Sequence, residues 1–275
     1  MNLFVLKPVF HINNPVPDTA NTSLALQFLE KTAVIAQTDL SGSQLYQLFY
    51  FHFDEWSKEV VGALGAIGVI QNTKPISVRV SYNFSANSII PIHLFEKAMP
   101  ETLIDSLFPF QEDNLVITDS VPEWQMHLAT GVYKPLKQWV DQQWPTAKSV
   151  PSLKLNLSNI GLVNDAGKAI LNFDIDSFCL TVVRNNKLLL HQHYDYSTPA
   201  DVIFHLLFVS QQLGLNAQEI SLELTGLLDK ESPLYKEIYQ YFLNVSFKDS
   251  NWEKANEIYP SHYFTTVNEL AQCGL

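Results

Sequence analysis

Three short runs rich in apolar, aromatic and β-branched residues open the patterned part of the chain: Ser23–Leu29 (SLALQFL), Thr32–Thr38 (TAVIAQT) and Leu45–Phe53 (LYQLFYFHF). Short turns separate them, the second holding Ser41-Gly42-Ser43, so they predict three strands in an antiparallel meander. The period then changes. Trp56, Val60, Leu64, Ile67 and Ile70 recur at helical spacing behind Asp54, which reads as the N-cap. A strand over Ile76–Tyr82 follows. After it the pattern predicts helices over Pro91–Lys97 and Glu101–Phe108, further strands, and a helix over Pro135–Trp144. Residues 1–21, with Pro8, Pro15, Pro17 and Asn13-Asn14, read as an extended leader.

The same order then recurs. Lys168–Asp174, Phe178–Arg184 and Lys187–Tyr194 predict three strands, the last two joined by a tight turn at Asn185-Asn186. Ser197-Thr198-Pro199 opens a helix, Asp201–Leu213 fills it and Gly214 ends it. A strand at Ile220–Thr225, a helix at Ser232–Phe242 and a strand at Val245–Phe247 complete the unit. A β-β-β-α-β-α order thus occurs twice, about 145 residues apart, and a recurring period outranks any single motif as fold evidence. The expected class is α/β with mixed sheets: the leader (1–21), a first half (22–150) and a second half (151–275).

Composition narrows the classes of function. The 275 residues are 47% hydrophobic and 16% charged, which places the chain among folded domains. A net charge of −11 argues against binding a phosphate backbone, which needs clustered Lys and Arg, so no nucleic-acid partner is expected. Cys179 and Cys273 are the only cysteines, too few for a disulfide framework or a zinc quartet. The apolar start is broken by Lys7 and Pro8 and makes a poor signal peptide. Val60–Ile70, the longest apolar stretch, is too short to span a bilayer, which takes roughly 20 residues. A cytoplasmic location is the expectation.

The duplicated unit resembles the ribonuclease-H-like half of the actin, hexokinase and Hsp70 superfamily. Asp201–Leu207 behind Ser197-Thr198-Pro199, Leu224-Thr225-Gly226 with Ser232–Tyr235, and the closing Ser261–Thr266 carry a closer likeness. In these the chain resembles an uncharacterised bacterial family with an actin-like ATPase fold and no assigned activity. The resemblance implies two ribonuclease-H-like halves. In active superfamily members ATP lies in the cleft between the halves, its phosphates wrapped by two hairpins of Asp-x-Gly character. Glycine is needed there so that backbone N–H groups can approach the oxygens.

The corresponding hairpins here have lost that character. Gln27–Thr32 carries neither the Asp nor a Gly, and Asp174-Ile175-Asp176-Ser177-Phe178 keeps acids but places bulky side chains in the turn. The sugar-binding Gly-Gly is reduced to Gly226-Leu227-Leu228, with Ser232 six residues on. Glu30 and Asp176 would repel a triphosphate unless Mg²⁺ intervened. The expectation is a pseudo-ATPase acting as a binding or assembly module for a protein partner, with no catalytic residue and no cofactor. The alternative is a divergent ATPase or kinase binding ATP with magnesium, with Asp176 near the metal and Gly226 and Ser232 near the adenosine.

Other constellations are weaker. His191, His193 and Asp195 alternate on one strand and His205 lies a helical turn after Asp201, but no further ligand follows at a diagnostic spacing. They read as the polar outer face of an edge strand, and no metal site is expected. Ser41-Gly42-Ser43 lacks the Lys and spacing of a P-loop. The closing Tyr259–Phe264 and the short helix at Val267–Ala271 are expected to dock on the second half. Tyr46 and Tyr50 share one face of the third strand and would form a protein-binding strip if that face were exposed.

Overall fold

The three N-terminal runs form the meander that their short turns demand. In the computed structural model, which describes residues 6–17, 21–97, 99–109, 113–252 and 258–273, β1 (Pro8–Asn13) precedes β2 (Thr22–Leu29), β3 (Thr32–Asp39) and β4 (Leu45–His52). β1 pairs antiparallel with β4, so part of the segment read as a leader is a sheet strand, with Phe10 edge-on to Tyr50 at 5.3 Å. Helix α1 (Lys58–Gly65) is capped by Ser57, whose hydroxyl accepts from the Val60 N–H at 3.2 Å, and not by Asp54. Ser57 has the extended backbone an N-cap needs. Extended backbone at Ile67 then interrupts the expected long helix, which resumes as α2 (Gly68–Gln71).

β5 (Ser77–Asn83) returns parallel to β2. Where a helix was expected over Pro91–Lys97, β6 (Asn87–Pro91) ends in a single 3-10 turn at Ile92–Leu94. β6, β7 (Asn114–Val121) and β8 (Met126–Tyr133) form a separate antiparallel sheet in the order β6-β8-β7. Helix α3 (Met99–Leu107) packs on it, burying Ile104 against Ile90 and Ala129. Helix α4 (Lys134–Gln143) and the two-residue β9 (Lys148–Ser149) complete the larger sheet, whose order is β1-β4-β3-β2-β5-β9. Leu24, Leu26 and Phe28 of β2 pack in one core cluster with Leu64 of α1 and Leu136 of α4.

After α5 (Ser152–Leu157) the second sheet is built from β10 (Lys168–Phe173), β11 (Ser177–Arg184) and β12 (Lys187–Asp195). Asn185 and Asn186 both adopt positive φ, 50° and 55°, as a two-residue hairpin turn requires. Helix α6 (Pro199–Gln212) opens with a full capping box, the Thr198 hydroxyl and the Asp201 carboxylate each accepting from the other's backbone N–H. β13 (Ser221–Gly226) then pairs parallel with β10, α7 (Pro233–Tyr241) follows, and β14 (Asn244–Phe247) pairs parallel with β13. The order β12-β11-β10-β13-β14 repeats β4-β3-β2-β5-β9 of the first sheet, strand for strand.

The described residues fall into two units: those up to Leu155 together with 267–273, and Asn156–Thr266. The sequence pattern divides the chain at 150/151 and assigns the tail to the second half. Only the segment up to Thr266 stays there. Helix α8 (Thr265–Gln272) belongs with the first unit from Val267 on. There the Arg79 Nε donates to the Cys273 carbonyl at 2.7 Å, and Gly42 lies so close to α8 that a Cβ would sit 2.4 Å from the Ala271 oxygen. Tyr46 and Tyr50 are buried, at 4% and 5% exposure, so the strip proposed from their alternation is not a free surface.

Candidate functional site

Gly226 ends β13 at φ +80°, beside the hairpin that joins β10 to β11. A Cβ there would lie 2.1 Å from the Phe173 carbonyl oxygen and 2.7 Å from Asn172 Oδ1. The approach of two backbones is enough to demand glycine there. That approach is used: the Leu227 N–H donates to the Phe173 carbonyl at 2.9 Å, and the Thr225 hydroxyl reaches Asn172 Oδ1 at 3.3 Å.

Two of the hairpin's own donors are likewise engaged. The Asp174 N–H donates to the Ser177 carbonyl, and the Ile175 N–H donates to Asp174 Oδ1, both at 2.8 Å. The Tyr196 hydroxyl donates to the Asp174 and Ile175 carbonyls, and burial pushes its pKa up to about 12. Asp176 sits at the hairpin tip, and its carbonyl accepts from the Tyr196 N–H at 2.9 Å. Ser232, the third residue suggested for a nucleotide, caps α7. Its hydroxyl accepts from the Tyr235 N–H at 3.1 Å and donates to the Asp229 carbonyl at 2.7 Å. Register brings Asp176 and Gly226 to neighbouring strand ends, while Ser232 is committed to its helix.

His262, part of the segment expected to dock, supports the Gly226 turn directly. Its Nε2 donates to the Leu228 carbonyl at 2.8 Å, and its ring lies 4.2 Å from that of Phe247. Burial holds its pKa below the ordinary histidine value. Its link to Leu228 joins residues 34 apart in sequence, and no spacing signal announces it.

The histidines of β12 do not form a polar outer face. His191 is buried, bonded to the Thr181 hydroxyl at 2.9 Å beside Cys179, with Asn156 donating to the same hydroxyl. Burial lowers the pKa of His191 to about 3 and of His193 to about 4, and raises that of Cys179 to about 12. His205 lies elsewhere, its ring 4.4 Å from Tyr194, which alternation places on the other face of β12. Among the described residues no group of three His, Cys, Asp or Glu side chains is arranged to hold a metal ion.

The first hairpin borders a pocket that sequence reasoning missed. β2, β4 and β5 run in the same direction, and the residues just past their carboxyl ends (Glu30 and Lys31, Asp54 to Trp56, Phe84 to Ala86) line a hollow of about 400 Å³. That edge is where open α/β sheets bind ligands. Phe108, Pro109, Asn114, Gly131 and Tyr133 close the other side. Glu30 is held in place, accepting from the Ser85 N–H at 3.0 Å and the Ser85 hydroxyl at 2.9 Å. Trp56 donates its indole N–H to the Leu29 carbonyl at 2.9 Å and packs edge-on to Phe28 and Phe53. Among the described residues neither Asp54 nor Glu55 has a hydrogen-bond or ion-pair partner. Burial and the charges of Asp113, Glu59 and Glu55 raise the Tyr133 pKa. Helical spacing drew Asp54 into a cap, and nothing local distinguishes a cap from a pocket wall.

Comparison with known proteins agrees with this architecture. Residues 17–245 match the family described as "Protein of unknown function (DUF3822)". A Bacteroides thetaiotaomicron protein with actin-like ATPase fold and unknown function is similar at 19% identity, covering 94% of this chain and 100% of its own, with a TM-score of 0.73. A chain of the PilM-PilN type IV pilus biogenesis complex is 12% identical over 90% of this chain and 97% of its own, with a TM-score of 0.51. Ethanolamine utilization protein EutJ from Carboxydothermus hydrogenoformans is 9% identical over 96% and 93%, with a TM-score of 0.52. No curated protein matches the sequence. The fold is that of the actin-like ATPases.

Proposed function

The chain belongs to the DUF3822 family of unknown function, and from that premise we propose that it is a non-catalytic actin-like module that binds a protein partner without turning over a nucleotide. One observation carries the reading: several of the groups that would cradle phosphate and ribose are already engaged within the chain. The Asp174 and Ile175 N–H groups close their own hairpin, Gly226 seals against Phe173, and Ser232 caps a helix. That donor set does not fit a triphosphate, whose binding depends on free backbone N–H groups converging on its oxygens. Glu30 puts a carboxylate on the first hairpin where phosphate would approach.

The repeated strand order supports descent from a duplicated unit whose framework is kept in both halves. A relative of similar fold is named for a complex of two proteins, which supports a partner-binding role by analogy of fold. Among the described residues no helix is long and apolar enough to cross a membrane. The test is equilibrium dialysis against labelled Mg²⁺-ATP, with phosphate release followed in parallel. The proposal expects neither binding nor turnover. Stoichiometric binding lost in Asp176→Asn would overturn it in favour of a divergent ATPase or kinase.

A further inference from the structure

We infer that the pocket walled by Trp56, Tyr133 and Phe108 receives one cationic side chain, lysine or arginine, from an extended segment of the partner protein, an assignment that rests on the binding-module reading above. The chemistry of the walls selects the ligand. Aromatic faces attract cations through their ring quadrupoles, and apolar walls suit the methylene stem of a long basic side chain. Trp56 lines the pocket in a fixed position. Its one polar atom is spent on Leu29, and its ring is set 4.6 Å from Phe53 and 5.7 Å from Phe28.

Charge selects the sign. Glu30, Asp54 and Glu55 line the pocket against the single ammonium of Lys31. Phosphate and carboxylate ligands are therefore repelled. A divalent metal ion is disfavoured on geometry, since no three carboxylates, histidines or cysteines converge among the described residues. An organic cation, satisfied by π faces and by carboxylates at the rim, meets both conditions. Asp54 and Glu55, without partners of their own among the described residues, are the groups it would pair with.

The surroundings point to a polypeptide carrier. Asn114 also borders a second hollow of about 480 Å³, lined by Glu101, Thr102 and Asp105 of α3 and by Leu115 and Val116 of β7. β7 is an edge strand of its sheet. An extended segment running along that edge would carry basic side chains past two acidic hollows in succession, with main-chain bonding of the kind edge strands offer.

The experiment uses the intact ¹⁵N-labelled chain and three capped tripeptides, Ac-Ala-Lys-Ala-NH₂, Ac-Ala-Arg-Ala-NH₂ and the neutral norleucine analogue. The Trp56 indole N–H signal, assigned with Trp56→Phe, reports binding. A saturable shift is expected with the lysine or arginine peptide, about tenfold weaker with norleucine. The double variant Asp54→Asn, Glu55→Gln should bind about fivefold less tightly and unfold at the wild-type temperature, because neither carboxylate has a hydrogen-bond or ion-pair partner to lose among the described residues. Equal binding of the norleucine peptide, an unchanged affinity in the double variant, or the same shift with Mg²⁺ alone would overturn the assignment. A parallel titration with Mg²⁺-ATP separates the two readings. Silence from peptides and nucleotide alike removes the cation site and leaves the non-catalytic reading standing. Nucleotide binding removes the latter whatever the peptides do.

Discussion

Lowering the pH from 7 to 5 should destabilise the second unit through two histidines that fold in the neutral state. An unfolded histidine titrates near 6.5, whereas burial depresses His191 to about 3 and His193 to about 4. Between those limits the unfolded chain binds protons that the folded chain refuses. The associated stability is complete above about pH 6.5 and is lost as the pH falls toward the folded values. At pH 5 both folded values lie a unit or more below the solution pH, so the loss depends mainly on the unfolded value. It amounts to about 2 kcal/mol for each histidine, and about 4 kcal/mol for the pair.

The assay is urea unfolding at pH 7 and pH 5, in the wild type and in His191→Gln. Glutamine can still bond to the Thr181 hydroxyl but does not titrate. The variant should lose about 2 kcal/mol less than the wild type on acidification. Carboxylates such as Asp39 and Asp201, which hydrogen bonding holds low, and Asp119, which burial raises, contribute equally to both proteins and cancel. An identical acid loss in the variant, or no loss in the wild type, would refute the buried neutral pair.

Gly226→Ala places a methyl group 2.1 Å from the Phe173 oxygen at a φ of +80°, and should cost about 3 kcal/mol or more in chemical unfolding. A cost below about 1 kcal/mol would mean that the turn relaxes freely. Ser232→Ala removes the cap of α7 and should cost about 1 kcal/mol in the same assay. In native protein a thiol reagent should label Cys273, which is partly exposed, and leave buried Cys179 untouched until the chain unfolds, as peptide mapping would report.

Much of the fold was legible because local chemistry and tertiary demand coincided. Thr198-Pro199 with Asp201 is a complete helix start in four residues, and Asn185-Asn186 admits the backbone a tight hairpin needs. What escaped was decided at long range. The Pro91–Lys97 segment reads as a helix, but only Ile92–Leu94 forms a single 3-10 turn, directly after β6 has paired with β8, whose residues lie some forty positions on. Tyr46 and Tyr50 look amphipathic in isolation, and the packing that buries them is invisible locally. The site divides the same way. That neither Gln27–Thr32 nor Asp174–Phe178 contains a glycine can be read from single residues. The pocket requires Glu30, Trp56, Phe108 and Tyr133, spread across a hundred positions, to converge.

The central claim, that the actin-like framework here no longer binds nucleotide, is met most directly by thermal unfolding with and without millimolar Mg²⁺-ATP and Mg²⁺-ADP. A ligand at about 100 times its dissociation constant adds roughly 2.7 kcal/mol to the folded state, which in a chain of this size moves the midpoint by several degrees. The account predicts superimposable curves; a reproducible upward shift of several degrees, abolished by Asp176→Asn, would contradict it.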